Sequence, residues 1–332
     1  MKNKKSSMKR LASLGLYAAI GAVLLVPTQF FAQASTSGSG ESAQAAGALE
    51  AAAAKAMYWN GLWTGQIDTV VSARERMIRA TVAQPNDPEL LSLIGVAYLT
   101  SVAQICCSTP AMDPSQIPEF VQLSQGYLQA AFDNPSTDEI GNLRRQGFLG
   151  GVTWALSAIT DDPDTAQLGR EHLAVAAHEI PDFGNLSIAD PLRMAPLGNP
   201  DYAAAVEAFF RYFEYCSGTT LDRVQPDLTI ALSMRSSPER PSCGNSFLSP
   251  HTAQGALFNF ADALVKNQQP EAARGIYELI PKTKGYATWS PSYPLAVEER
   301  LTSDLVARAA LYVDDDPESP RVGVDCFGCH QR

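Results

Sequence analysis

Short breaks rich in proline and aspartate divide this chain of 332 residues into segments of helix length. The clearest breaks are Pro85-Asn86-Asp87-Pro88, Asn134-Pro135-Ser136 and Asp161-Asp162-Pro163. Between them, apolar residues recur at the 3.6-residue period of an α-helix, and no run of alternating residues with hairpin turns interrupts the pattern. We therefore expect an all-α fold. The predicted helices are 47–63, 66–83, 89–107, 118–132, 138–159, 164–180, 201–216, 251–266, 271–280 and 295–313.

The segment at 251–282 has the pattern of a helical hairpin, HTAQGALFNFADALVKNQQPEAARGIYELIPK. It resembles a tetratricopeptide repeat, with a tight turn and a Glu-Ala pair at Asn267 to Ala272. The resemblance predicts an inner stripe made by Ala256, Phe260, Ala263 and Leu264, against which Ala272, Ile276 and Tyr277 pack. Residues 88–132 and 138–180 match only as helix pairs without a fixed period of 34 residues. We expect irregular helical-hairpin repeats, a tetratricopeptide-like α-solenoid that docks a protein or peptide partner. The alternative is an irregular bundle without a groove.

The first 34 residues have the pattern of a secretory signal peptide, with a basic start, an apolar stretch at 11–26 and small residues before the cleavage site at Ala34. The apolar stretch is shorter than the ~20 residues that span a bilayer. An uncleaved anchor is the alternative, but we expect cleavage, no stable membrane span afterwards, and a periplasmic or extracellular location in a bacterium. The predicted organisation continues with a flexible Ser/Gly/Ala linker at 35–46, a helical-repeat domain at 47–313 and a tail at 314–332.

The excess of acidic residues argues against a nucleic-acid partner. The whole chain has 25 Lys and Arg against 35 Asp and Glu, and five of those bases lie in the first ten residues. After cleavage, 20 bases remain against 35 acids, so the formal charge is −15. Nonspecific binding to nucleic acid needs clustered positive charge, so we expect no nucleic-acid partner.

The motif that carries chemistry is Cys326-Phe327-Gly328-Cys329-His330, near the end of the chain. A Cys-x-x-Cys-His pentad resembles the haem-attachment motif of c-type cytochromes. The resemblance implies one covalent haem c, bound through thioethers to Cys326 and Cys329, with His330 as an axial ligand of the iron. Three alternatives remain open: a small disulfide loop, a redox-active thiol pair, and a zinc site with one further ligand.

The tail before the pentad is acidic and contains two prolines, as Asp314-Asp315-Asp316-Pro317-Glu318-Ser319-Pro320. Proline and repeated acids oppose a helix, so we expect a non-helical haem-binding tail, unlike the last helix of a four-helix-bundle cytochrome. These acids predict a protein redox partner with a basic surface. The alternative is that they keep the tail solvated.

The second axial ligand has several candidates. His251 is the first choice, because it opens a helix beside an irregular segment; the others are His172, His178, Met112, Met194 and Met234. The alternative for His251 is a surface or helix N-capping side chain. In an oxidising compartment, Cys216 and Cys243 are a possible disulfide across the long segment 218–249. Cys106 and Cys107 are expected to be buried thiols, and the alternative is that one of them pairs with a cysteine elsewhere in the chain.

Two functions therefore compete. The first is an exported mono-haem c-type cytochrome that relays single electrons and is carried on a helical-repeat scaffold. The second is a periplasmic tetratricopeptide-like interaction or scaffold protein whose terminal Cys pair is a disulfide without haem. A haem peroxidase is a third, weaker alternative. No serine nucleophile elbow, phosphate-binding loop or paired-carboxylate motif occurs in the sequence, so electron transfer or interaction is favoured over an enzyme.

Overall fold

The computed structural model describes residues 40–103, 113–247, 249–289 and 292–312. The predicted signal peptide and the predicted tail at 314–332 lie outside these residues, as do Cys106, Cys107 and Met112. The chain divides into two units, Met1–Ala43 and Gln44–Arg332. Almost all of the described residues belong to the second unit, which contains the helical body.

The described residues form α-helices and short 3-10 turns, and no β-strand occurs among them. The all-α prediction is confirmed for this part of the chain. The twelve α-helices there are α1 (Gly40–Thr64), α2 (Ile67–Ala80), α3 (Pro88–Ala103), α4 (Ile117–Asp133), α5 (Glu139–Thr160), α6 (Pro163–Glu179), α7 (Pro181–Leu192), α8 (Pro200–Ser217), α9 (Thr252–Lys266), α10 (Pro270–Leu279), α11 (Ser292–Thr302) and α12 (Leu305–Ala310).

The proline and aspartate breaks are helix starts. Asp138, Asp162 and Asn199 each cap a helix by accepting a hydrogen bond from a backbone N–H of its first turn. Proline follows the cap directly in α6 and α8, where its missing N–H costs no hydrogen bond. The breaks therefore end one helix and begin the next within a few residues.

The structure differs from the predicted helix boundaries in three places. Helix α1 begins at Gly40, inside the segment predicted as a linker, because the Ala-rich sequence after it favours helix. Helix α7 lies where the sequence predicts no helix: proline often ends a helix, but Pro181 is the first residue of a new one. The predicted helix 295–313 is two helices, because the Asp304 carboxylate caps a second start through Val306 and Ala307.

Helices that are neighbours in sequence pack together, most extensively α5 with α6, α3 with α4 and α7 with α8. The contacts of α4 with α5 and of α6 with α7 come next, and α9 with α10 follows them. The α5–α6 contact is close enough to require glycine. A Cβ atom at Gly169 would lie 2.6 Å from the Trp154 backbone nitrogen, and one at Gly150 would lie 2.8 Å from the Leu173 nitrogen. Sequential pairing of this kind is consistent with a helical repeat.

An aromatic cluster joins the pair α7–α8 to the pair α9–α10. The rings of Phe209, Phe210 and Phe213 on α8 lie 4.9 to 5.8 Å from the ring of Phe260 on α9. All four side chains are buried. Offset and edge-to-face aromatic contacts at these distances stabilise a core beyond the area they bury. The cluster holds α9 in place, and α9 in turn organises the last described helices.

Candidate functional site

The predicted haem-attachment residues Cys326, Cys329 and His330 lie outside the described residues. The structure does describe the helices from which the chain continues toward them. It also describes most of the histidine and methionine side chains that the sequence offers as candidate second ligands. The candidate site consists of these two parts.

A polar network anchors the end of the helical body. The Tyr277 hydroxyl donates to Asp262 Oδ1 at 2.5 Å, and Arg300 Nε donates to the same oxygen at 2.9 Å. Burial raises the pKa of Tyr277, and the nearby Asp262 carboxylate raises it further. Burial lowers the pKa of Arg300, but the same carboxylate raises it by more, so the net shift is upward. Both the phenol and the guanidinium therefore stay protonated, and helices α9, α10 and α11 are tied together.

Helix α12 is held against the end of α9. Gln268 Nε2 donates to the Ala309 carbonyl at 2.8 Å, and Arg308 Nη1 lies 3.2 Å from Glu299 Oε1 on α11. Tyr312, the last described residue, is 9% exposed. The chain therefore leaves the described part of the body from a fixed position beside the turn that follows α9.

That same turn reaches a second segment, the connection between α7 and α8. Lys266 Nζ donates to the carbonyl of Ala195 at 2.7 Å and to the carbonyl of Arg193 at 3.2 Å. The ammonium also lies 4.6 Å from the centre of the Tyr202 ring. Burial of a lysine is favourable only when its donors are satisfied, and these carbonyls satisfy them here. The backbone on both sides of Met194 is thereby fixed.

Met194 is 49% exposed, whereas its neighbours Arg193 and Ala195 are 1% and 2% exposed. Its side chain is the exposed member of a turn whose flanking residues are buried. A Cβ atom at nearby Gly198 would meet nothing within 4 Å, so the surface beside this connection is open.

His251, the first choice for a distal ligand, is 1% exposed. Burial lowers the pKa of its imidazole, although a hydrogen bond to the Thr288 backbone opposes the shift. Its Nδ1 is buried and has no hydrogen-bond partner among the described residues, and its ring lies 6.2 Å from that of Trp289. These are the surroundings of a neutral core histidine that holds segment 285–289 against the start of α9.

The other described histidines lie on α6. His172 is half-buried, with its ring 5.2 Å from Phe132 in an edge contact and Nδ1 3.4 Å from Gln146 Nε2. Burial lowers its pKa. His178 has a side chain that is 85% exposed, and its Nδ1 lies 2.9 Å from the carboxylate of the adjacent Glu179. His172 is thus a packing residue, and His178 is on the surface.

The remaining described methionines are packed inside. Met77 is 0% exposed and Met234 is 6% exposed. Met57 is partly buried against the main core, with its sulfur 3.8 Å from Arg76 Nη1. Among the described residues, the methionine and histidine side chains available at the surface are therefore those of Met194 and His178.

A disulfide joins Cys216, at the end of α8, to Cys243. It closes the long segment whose only regular element is the 3-10 turn Leu228–Leu232. The residue before Cys243 is also held: the Tyr212 hydroxyl donates to the Ser242 carbonyl and the Ser242 N–H donates to Asp182, each at 2.8 Å. The segment is therefore fixed to α7 and α8 at one place.

Sequence reasoning missed the residues that organise this region, namely Asp262, Lys266 and Arg300. Their charges fall in segments whose apolar period already predicts helices, so nothing in the local pattern marks them as partners. The sequence offers one clue for Asp262: it lies on the apolar side of the predicted helix, and a carboxylate there needs a hydrogen-bond donor.

The described residues contain no group of three or more His, Cys, Asp or Glu side chains arranged to hold a metal ion. None of the helices in that part of the chain has the length and apolar character needed to cross a membrane. No family model, curated protein or solved structure matches this chain.

Proposed function

We propose that this chain is an exported mono-haem c-type cytochrome that relays single electrons to a protein partner. The observation that carries the proposal is the pentad Cys326-x-x-Cys329-His330 in a chain whose first 34 residues have the pattern of an export signal. When bound, haem c supplies an iron that changes between the ferric and ferrous states by one electron.

The residues of this chain have three roles in the proposal. Cys326 and Cys329 would hold the haem through two thioether bonds, each made by adding the S–H of one thiol across one vinyl group, so attachment would need no oxidant. His330 would bind the iron through a ring nitrogen. The acids at 314–316 attract a basic surface on the redox partner.

The disulfide between Cys216 and Cys243 supports the proposed compartment. Disulfides form and persist in oxidising environments such as the periplasm or the extracellular medium, and they are rare in the cytosol. Attachment of c-type haem also takes place outside the cytoplasm. The export pattern, the disulfide and the pentad therefore favour the same location.

We also propose that the scaffold consists of irregular tetratricopeptide-like hairpins. Its support is the hairpin α9–α10, where the predicted inner stripe of Ala256, Phe260, Ala263 and Leu264 is at most 2% exposed. In α10, Ile276 is 2% exposed and packs in the same core. Stacked hairpins bind partners through their shared face, and we assign the docking of the redox partner to this body.

The second candidate function is a periplasmic scaffold without haem, in which Cys326 and Cys329 form a disulfide. The sequential helix pairs favour it, because stacked hairpins bind protein partners without any cofactor. The two candidates predict different masses for the exported chain.

The deciding experiment expresses the full chain with cytochrome maturation machinery and measures the exported protein. We expect the polypeptide mass plus one haem, and a pyridine haemochrome spectrum that survives denaturation. The double variant Cys326→Ala/Cys329→Ala should lose both, whereas the control Cys106→Ala/Cys107→Ala should keep both. A wild-type mass equal to the polypeptide less the hydrogens of its disulfides would overturn the proposal and favour the scaffold.

A further inference from the structure

A cavity of about 120 Å³ lies where α4 ends and α5 begins. It opens to solvent beside Pro135 and Glu139, which are exposed. Phe132, Pro135 and Leu143 form its apolar wall, and Arg145 and Glu139 are the charged residues in its lining. An apolar cavity of roughly 150 Å³ holds a benzene molecule, so this one has room for a ligand of about five or six heavy atoms.

Arg145 is 8% exposed, and no carboxylate of a described residue forms an ion pair with it. Its Nη2 donates to the Ser136 hydroxyl at 2.8 Å and also to Asn142 Oδ1. Its Nε is buried and has no hydrogen-bond partner in the described part of the chain. Burial lowers the pKa of Arg145, and Asp138, the first of the acids that oppose this shift, acts on it without a hydrogen bond. A buried cation is costly unless it is paired, so this guanidinium is suited to a bound anion.

The guanidinium is held in place by the connection between the two helices. Asn142 Nδ2 donates to the Ser136 carbonyl at 2.8 Å, and the Ser136 N–H donates to Asn142 Oδ1 at 3.0 Å. These bonds fix the connection to the first turns of α5, and Arg145 joins them through its own bonds to Ser136 and Asn142. A donor that is already positioned loses little freedom when a ligand binds.

The cavity also contains a negative charge and a neutral acceptor. Glu139, the first residue of α5, carries the carboxylate. Gln146 is in the lining too, and its Nε2 lies 3.4 Å from His172 Nδ1, which leaves the amide oxygen as an acceptor. A simple carboxylate would be repelled by Glu139, and a simple amine would be repelled by Arg145. A ligand with both a carboxylate and an ammonium group matches both charges.

We propose that this cavity binds a small α-amino acid as a zwitterion. The ligand carboxylate accepts hydrogen bonds from Arg145, and the ligand ammonium donates to Glu139 and to the amide oxygen of Gln146. The Cα atom and a short side chain pack on Phe132 and Leu143. Alanine, with six heavy atoms, fits the volume. Binding involves only residues of the helical body, so this inference is independent of the haem.

The test is isothermal titration calorimetry of the full-length exported protein with L-alanine, propionate and ethylamine at neutral pH. Propionate lacks the ammonium of alanine and ethylamine lacks its carboxylate, so the two probes separate the two charges at nearly constant size. We expect alanine to bind at least roughly tenfold more tightly than either probe, because each loses one charge-assisted contact. No detectable binding of alanine, or equal affinities for alanine and propionate, overturns the inference.

Two variants test the assigned residues. Glu139→Gln, at an exposed position, should weaken the binding of alanine and strengthen that of propionate, whereas Arg145→Met should weaken both. The matched control is Glu119→Gln, at an exposed acid in the first turn of α4 outside the cavity lining, and it should leave the affinity for alanine unchanged. An affinity for alanine that is the same in Glu139→Gln as in the wild type overturns the inference, even if Arg145→Met does not fold. A chain without covalent haem would overturn the proposed function, but its titration with alanine would still decide this one.

Discussion

Removing the disulfide between Cys216 and Cys243 should destabilise the helical body by an amount that its loop length sets. The two cysteines are separated by 27 residues in the sequence. In the chain-entropy treatment, a cross-link closing a loop of this length restricts the unfolded chain by about 3.6 kcal/mol at 25 °C. We therefore expect Cys216→Ala/Cys243→Ala to lower the free energy of unfolding by roughly that amount, within the 2–5 kcal/mol typical of native disulfides.

The assay is urea unfolding followed by circular dichroism at neutral pH without reductant, comparing the wild type, both single variants and the double variant. Either single substitution removes the cross-link, so each should cost nearly as much as the double one. The denaturant m-value should rise in all three variants, because an unfolded chain without the cross-link exposes more surface.

Two results would refute this reasoning. The first is a loss below about 1 kcal/mol with an unchanged m-value, which would mean that contacts such as those of Ser242 already hold the segment in the unfolded ensemble. The second is additivity of the two single substitutions, which would assign the loss to the packing of each side chain, chiefly that of Cys243, which is 1% exposed.

Helix packing, a buried histidine and the acidic tail each offer a further test. Gly169→Ala should destabilise the α5–α6 contact by about 1–3 kcal/mol, whereas Gly126→Ala, where a Cβ meets nothing within 4 Å, should stabilise α4 by about 0.5–1 kcal/mol in the same urea assay. Burial lowers the pKa of His251, so the neutral imidazole stabilises the folded protein fully above its ordinary pKa of about 6.5, and this stabilisation declines as the pH falls below that value. His251→Gln should therefore reduce the pH dependence of the free energy of unfolding between about pH 7 and 5. An unchanged pH dependence would contradict the burial of a neutral His251. Electron transfer to a basic acceptor, measured by stopped flow, should slow as salt rises, because salt screens exposed charges over about 8–10 Å. It should also slow when the three aspartates at 314–316 become asparagine, because the attraction to the acceptor is weakened. Rates that change with neither perturbation would leave these acids only a solvating role.

Helix positions were largely predictable because a helix depends on residues within one or two turns. The apolar period and the capping residues Asp138 and Asp162 lie in the same short stretch of sequence as the helices they define. The misses have local causes as well. Pro181 starts a helix rather than ending one, and the Asp304 cap divides a segment whose apolar period continues through it.

Which candidate ligand lies on the surface, by contrast, was not predictable from the sequence. The sequence favours His251 over Met194, because His251 opens a helix next to an irregular segment. The structure buries the imidazole beside Trp289 and leaves the thioether on the surface. Trp289 is 38 residues from His251, and Lys266, which fixes the turn at Met194, is 72 residues from that methionine. No local pattern contains these pairs.

The sequence by itself determined the properties that depend on chemically adjacent residues: the helical segments and the spacing of two thiols and an imidazole in the pentad. Tertiary structure alone decided which side chains reach solvent and which charges meet. Helix pairing brought Tyr277 and Arg300 to one oxygen atom of Asp262, and it brought Lys266 to the carbonyls on both sides of Met194. The reason is that burial and ion pairing are set by contacts between distant parts of the chain, whereas helix formation and covalent reactivity are set by neighbours along it.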